Sequence, residues 1–115
     1  MSNAFSKDLI AASAVPLVLS ILKQGDSYGY AIIQSIKTAS GGQLEWSEGM
    51  LYPVLHRLEA KGLVKAYWGQ SETGRKRKYY ALAREGREEL DQSRQAWADM
   101  FRILQTLDKE APCSN

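Results

Sequence analysis

The chain is short of almost everything that catalysis, metal binding or secretion requires. It has one cysteine and one histidine in 115 residues. Cys113 stands in the polar stretch "APCSN", which excludes an internal disulfide and a cysteine-based metal cluster and suits a reducing compartment. His56 has no neighbouring cysteine or carboxylate cluster, so no metal site is expected. There is no Gly-rich phosphate loop, no nucleophile elbow and no readable Ser/His/Asp set, which leaves an enzyme, or any cofactor, without support. No apolar run approaches the roughly 18 residues that a membrane span needs. The stretch "MSNAFSKDLIAAS" lacks the basic start and apolar core of a secretory leader. These absences predict a cytoplasmic protein with no membrane partner.

What is present is ordinary in bulk and uneven in detail. Hydrophobic content of 44% and charged content of 24% suit one globular domain. A core of this size is modest, and association with a second copy would enlarge it. The net charge of +2 is too small to argue for nucleic acid. The local distribution argues more. Arg75, Lys76, Arg77 and Lys78 follow one another, and residues 75–84 hold five basic side chains and no acid. Such a run is often only a solvated hairpin edge, charged against edge-to-edge pairing. Its neighbours decide what it means.

Residues 9–24 carry Ile10, Ala14, Leu17, Val18, Ile21 and Leu22 at helical spacing, with Pro16 predicting a kink or short break. Gly25, Asp26 and Ser27 end that helix, and Asp26 or Ser27 is placed to cap a second over residues 28–39. Tyr28, Ile32 and Ile36 share one face of it, and Ser40-Gly41-Gly42 stops it. "QLEW", residues 43–46, has room for an edge strand at most. Ser47 is a natural cap for the third helix, "EGMLYPVLHRLEAKG". Leu51, Leu55 and Leu58 mark its buried face. Gly49, Pro53, His56, Arg57 and Ala60 point the other way, with Met50 and Tyr52 on the flanks. "LVKAYWG" and "RKRKYYAL", joined by "QSETG", read as a β-hairpin in which one of Tyr79 and Tyr80 faces the core. Trp68 is assigned to that core. A long helix runs from about Arg84 to Leu107. Leu90, Trp97 and Leu104 recur every seven residues on it, as do Ser93, Met100 and Leu107, with Phe101 beside them.

The predicted fold is therefore mainly α with a β-hairpin wing: a winged helix-turn-helix followed by a long C-terminal dimerisation helix. The expected divisions are a tail at 1–8, a DNA-binding domain at 9–82, the dimerisation helix at 83–110 and a tail at 111–115. A third helix that is small on its outer face can enter a major groove. A basic hairpin beside it can lie along the phosphates. Double-stranded operator DNA is the implied partner. The competing reading is a winged-helix protein–protein interaction module, because fold alone does not decide function. Leu90, Trp97, Phe101, Leu104 and Leu107 are the candidates for a homodimer seam.

"SYGYAIIQSI", "GMLYPVLHRLEAKGLV" and "GRKRKYYALAREG" resemble the PadR family of bacterial transcriptional regulators, over roughly residues 9–107. One long terminal helix with no second helical domain is similar to its small subfamily. The resemblance implies a homodimeric repressor, acting on its own operon or on a transporter or detoxification gene, that leaves DNA when a small molecule binds. It also implies that Tyr52, His56, Arg57, Arg75, Lys76 and Arg77 contact DNA. Two positions depart from the family pattern. Met50 stands where a small hydroxyl residue is common, and Ala83 stands where a hydroxyl cap is common, which predicts a frayed start to the last helix.

Trp97 is too large for a tight two-stranded coil, and Ser93 and Ala96 leave room beside it. Multidrug-sensing PadR-like regulators resemble this arrangement, with a tryptophan pair lining a flat apolar pocket at the dimer centre. That resemblance implies a small planar aromatic or cationic ligand held by Trp97, with Met100, Ser93, Asp99, Ala11 and Val15 around it. The alternative is a tryptophan that only packs.

Overall fold

The computed structural model describes the backbone of residues 5–113 and the side chains of residues 5–108. The Cys113 thiol and every other side chain of the tail expected at 111–115 lie outside the described side chains, as do residues 1–4 of the tail expected at 1–8. In order, the elements are α1 (Lys7–Gln24), β1 (Ser27–Tyr28), α2 (Gly29–Ala39), α3 (Glu48–Ala60), β2 (Val64–Gln70), β3 (Lys76–Leu82) and α4 (Arg84–Cys113). The fold is mainly helical, with a three-stranded antiparallel sheet in the order β1-β3-β2 and a long C-terminal helix.

α1 is the central helix and packs against α2, α3, β3 and α4. Ser6 caps it, its Oγ accepting from the Leu9 N–H at 3.1 Å. The helix runs through Pro16 without the break that the proline predicted. A mid-helix proline costs about 3 kcal/mol. Ala14, Val18, Leu19, Ile21 and Leu22 are all buried on this helix, and each large apolar side chain so buried returns about 1.5–3 kcal/mol. Packing outweighs the lost hydrogen bond.

The short strand is not where the sequence placed it. Residues 43–46 form no strand; Leu44 is half-buried and Trp46 is buried. The strand lies earlier, where Ser27 and Tyr28 pair with Tyr80 and Tyr79 of β3. Neither Asp26 nor Ser27 caps α2, whose cap position is Tyr28 with no side-chain hydrogen bond. Backbone pairing with the hairpin has claimed the residues that local propensity assigned to capping.

Ser47 does cap α3, its Oγ accepting from the Met50 N–H at 3.3 Å. α3 continues through Pro53 and buries Leu51, Val54, Leu55 and Leu58. The start of α4 is held, not frayed. Ala83 is buried, and its N–H donates to the Leu63 carbonyl at 3.0 Å. Gly86 lies so close to that carbonyl that a Cβ there would overlap it. A tertiary acceptor does the work of the missing hydroxyl.

Leu90 is fully buried in the core of its own chain, so it has no surface left for a partner. Beyond Trp97 the helix leaves the body of the domain. The radius of gyration is 17.0 Å and the long axis 67 Å, against about 13 Å for the radius of a compact domain near this size. No described helix is long and apolar enough to cross a membrane.

Candidate nucleic-acid interface

The buried leucine and valine side chains hold α3 down and turn its other face to solvent. Gly49, Met50, Pro53, His56, Arg57 and Ala60 are all exposed there. Tyr52 is different. It is half-buried, and its hydroxyl abuts Gly29 so closely that a Cβ at that glycine would overlap it. Tyr52 therefore spaces α3 against the start of α2. Its ring sits 6.2 Å from that of His56.

The register of the hairpin sorts the basic run. Trp68 pairs with Lys78, Gly69 with Arg77 and Gln70 with Lys76. Paired residues share a face, and faces alternate along each strand. Val64, Ala66, Trp68, Lys76, Lys78, Tyr80 and Leu82 thus lie on the core side of the sheet. Tyr80 is buried there, and burial pushes its hydroxyl pKa up. The core ends beneath Ala66 and Tyr80. Trp68, one pair further out, is 67% exposed and not a core residue. Its aromatic character suggested burial; its position beyond the last helix contact decided otherwise.

The opposite face carries an aromatic cluster that no local pattern announced. Tyr79 packs edge-on to Tyr28 and stacks on Tyr67, with centroids 5.6 Å apart in both pairs. The Arg77 guanidinium lies over the Tyr28 ring at 3.9 Å. The Tyr67 hydroxyl donates to the Asp26 carboxylate at 2.6 Å, and that hydrogen bond raises its pKa. Distance from the turn, not the face of the strand, leaves the cations unequal. Arg75 and Lys76 at the tip are exposed, while Arg77 and Lys78 are half-buried. The turn itself is built on Ser71, whose Oγ accepts from the Arg75 N–H at 3.2 Å.

The residues expected around a ligand are not all brought together in the chain. Val15, Ser93 and Trp97 line a cavity of about 310 Å³ between α1 and α4. Trp97 also borders a second, of about 210 Å³, with Arg94 and Leu17. Ala11 lines another cavity altogether, beside α3. Asp99 accepts hydrogen bonds from Arg102 and Gln95, each at 2.9 Å, and these hold its carboxyl below the usual range. Past Trp97, Met100, Phe101, Leu104 and Leu107 are 56–62% exposed, and so is Ile103, at 52%, which the heptad spacing passed over.

A hairpin wing packed beside a helix pair, with a long helix behind, has counterparts among known proteins. The family model of the transcriptional regulator PadR-like family matches residues 18–92. The chain belongs to that family. Its members are regulators of transcription and not enzymes. Among solved structures, this PadR-like chain is similar to a transcriptional regulator from Clostridium thermocellum, with 32% identity and a TM-score of 0.81, over 90% of this chain and 97% of the other. It is also similar to a PadR family transcription regulator from Clostridium difficile, with 33% identity and a TM-score of 0.71, over 83% and 97%. An uncharacterised protein of Lysinibacillus sphaericus is 33% identical over 84% of this chain and 89% of its own length.

Proposed function

We propose that the chain is a homodimeric, DNA-binding repressor of the small PadR subfamily, released from its operator by a small planar aromatic or cationic molecule. One observation supports DNA binding above the others: the exposed face of α3 is built from Gly49, Pro53 and Ala60 around His56 and Arg57, and the exposed cations Arg75 and Lys76 stand on the neighbouring wing. Small residues allow close approach to base edges, and the cations suit phosphates.

The apolar stripe from Trp97 to Leu107 supports the dimer, because it is exposed among the described residues of its own chain. A second copy would bury it and set the two recognition helices about 34 Å apart, one turn of duplex. Trp97 lies where this stripe meets the body, beside the cavities that it lines. A ligand there releases DNA only if it prefers a dimer geometry that misplaces the α3 helices.

The test is binding to the DNA upstream of the protein's own gene, with random duplex as control, across a salt series. Tight binding to an inverted repeat with a steep salt slope supports the reading. Equal, weak and salt-independent binding to both duplexes would instead favour a protein–protein module. Tryptophan emission titrated with planar cationic dyes, in wild type and Trp97→Ala, tests the ligand.

A further inference from the structure

An open cavity of about 440 Å³ lies between the first half of α1 and α3 and borders the face proposed to read DNA, with Gly49, Pro53 and Arg57 of that face in its lining. Ala11, Trp46, Met50 and Val54 contribute its apolar wall, and Lys7 and Arg57 are its charged residues. No carboxylate lines it. Asp8 and Glu48, in the first turns of α1 and α3, are not among the lining residues. Among the described residues, neither Lys7 nor Arg57 has an ion-pair partner. Trp46 is 5% exposed, and its indole N–H is sealed from solvent with no acceptor among the described residues. An apolar cavity with two cations, no ion pair to either and no carboxylate in its wall is matched to one ligand chemistry.

We propose that this cavity is an effector site for a small amphipathic organic anion. The apolar body of the ligand lies against Trp46, Met50 and Val54. Its anionic head is held by Lys7 and Arg57, by charge-assisted hydrogen bonds. This is the opposite charge preference from the dimer-centre pocket, so the two sites take different molecules. In one respect the inference rests on the DNA-binding reading. Arg57 also belongs to the exposed face of α3, so the head group and a DNA phosphate compete for it. An anion in this site then lowers operator affinity without needing to change the dimer.

The experiment uses the full chain carrying Trp68→Phe and Trp97→Phe, which leaves Trp46 as the only indole. Its emission is titrated with decanoate, decanol and decyltrimethylammonium, all kept below micelle formation. Decanoate should shift the emission saturably and bind about tenfold more tightly than decanol, the value of one good charge-assisted hydrogen bond. The cationic analogue should not bind. Arg57→Gln and Lys7→Gln should each weaken decanoate several-fold and leave decanol unchanged. Ala11→Phe, at an exposed position on the cavity wall, should block all three probes. If Ala11→Phe melts early, the glutamine variants decide. Unmoved Trp46 emission, as when the partner's α4 stripe fills the cavity, overturns the proposal. So does equal affinity for decanoate and decanol. No DNA is present in this titration, so a chain that binds decanoate as described but binds no duplex overturns the DNA reading and leaves the site standing.

Discussion

The Arg77 guanidinium lies 3.9 Å from the centre of the Tyr28 ring. It ties the wing to the strand that opens α2, and Tyr79 and Tyr67 extend the tie toward Asp26. A cation in the middle of the basic run is thus engaged within the protein, and this stack adds to the core contacts of Val64 and Tyr80 in holding the wing against the helix pair.

Arg75 and Arg77 should therefore behave differently. Combined Arg75→Ala and Lys76→Ala should weaken binding to every duplex and reduce the salt slope by about one unit for each phosphate no longer neutralised. Arg77→Ala should weaken binding with the slope nearly unchanged, and Tyr28→Ala should do the same. The double variant should lose little more than either single one, because both break one stack. Fluorescence anisotropy over a salt series measures this. A slope reduced by about one in Arg77→Ala would place that side chain on a phosphate.

Replacing Phe101 and Leu104 by Glu should give a monomer in sedimentation at micromolar concentration. Both are exposed in the single chain, so the domain itself should remain folded by circular dichroism. Affinity for a palindromic operator should fall far more than affinity for a half-site. A dimer that survives both carboxylates would mean that the interface lies elsewhere.

Leu90→Ala should act on folding and not on association. Its side chain is fully buried among core residues. Truncation of such a leucine costs about 2–5 kcal/mol. Urea unfolding of the Phe101→Glu/Leu104→Glu background isolates this from dimerisation. A cost under about 1 kcal/mol there would contradict its place in the core.

Gly86→Ala tests what anchors the start of α4. The added Cβ would overlap the Leu63 carbonyl, which is backbone and cannot swing away. The Leu63 carbonyl also accepts from Ala83, so the clash breaks the hydrogen bond that replaces a cap. Overpacking of this kind costs about 1–3 kcal/mol, although alanine is ordinarily the better helix former. A stabilised Gly86→Ala would refute the close approach.

The Tyr67 hydroxyl should ionise above the ordinary tyrosine value, because it donates to Asp26 and ionisation would break that bond. A folded pKa raised above the unfolded one contributes stability that is complete below about pH 10 and lost as pH rises through the folded value. In Asp26→Asn, tyrosinate absorbance should show one tyrosine titrating closer to its ordinary value. Identical titration curves for wild type and variant would remove the bond from solution.

Binary patterning made most of this architecture legible. The spacing of Leu51, Leu55 and Leu58 determined which face of α3 is buried, and so which residues are outside. The polar turn "QSETG" between two branched and aromatic runs determined a hairpin. Strings such as "GMLYPVLHRLEAKGLV" carried the family, because helix face, stop and strand start all fall within them. Local chemistry could not say which partner a residue would choose. Ser27 and Tyr28 read as a cap and joined a sheet, because the free edge of β3 offered backbone partners. Leu90 and Leu104 share one heptad stripe, yet one is in the core and the other in solvent, because α4 outruns the domain that covers its first turns. Arg77 and Lys76 are adjacent cations that strand alternation puts on opposite faces of the wing, and the ring that Arg77 meets there, Tyr28, comes from a distant part of the chain. Periodicity determines which way a side chain points, while what it meets there depends on residues distant in the chain.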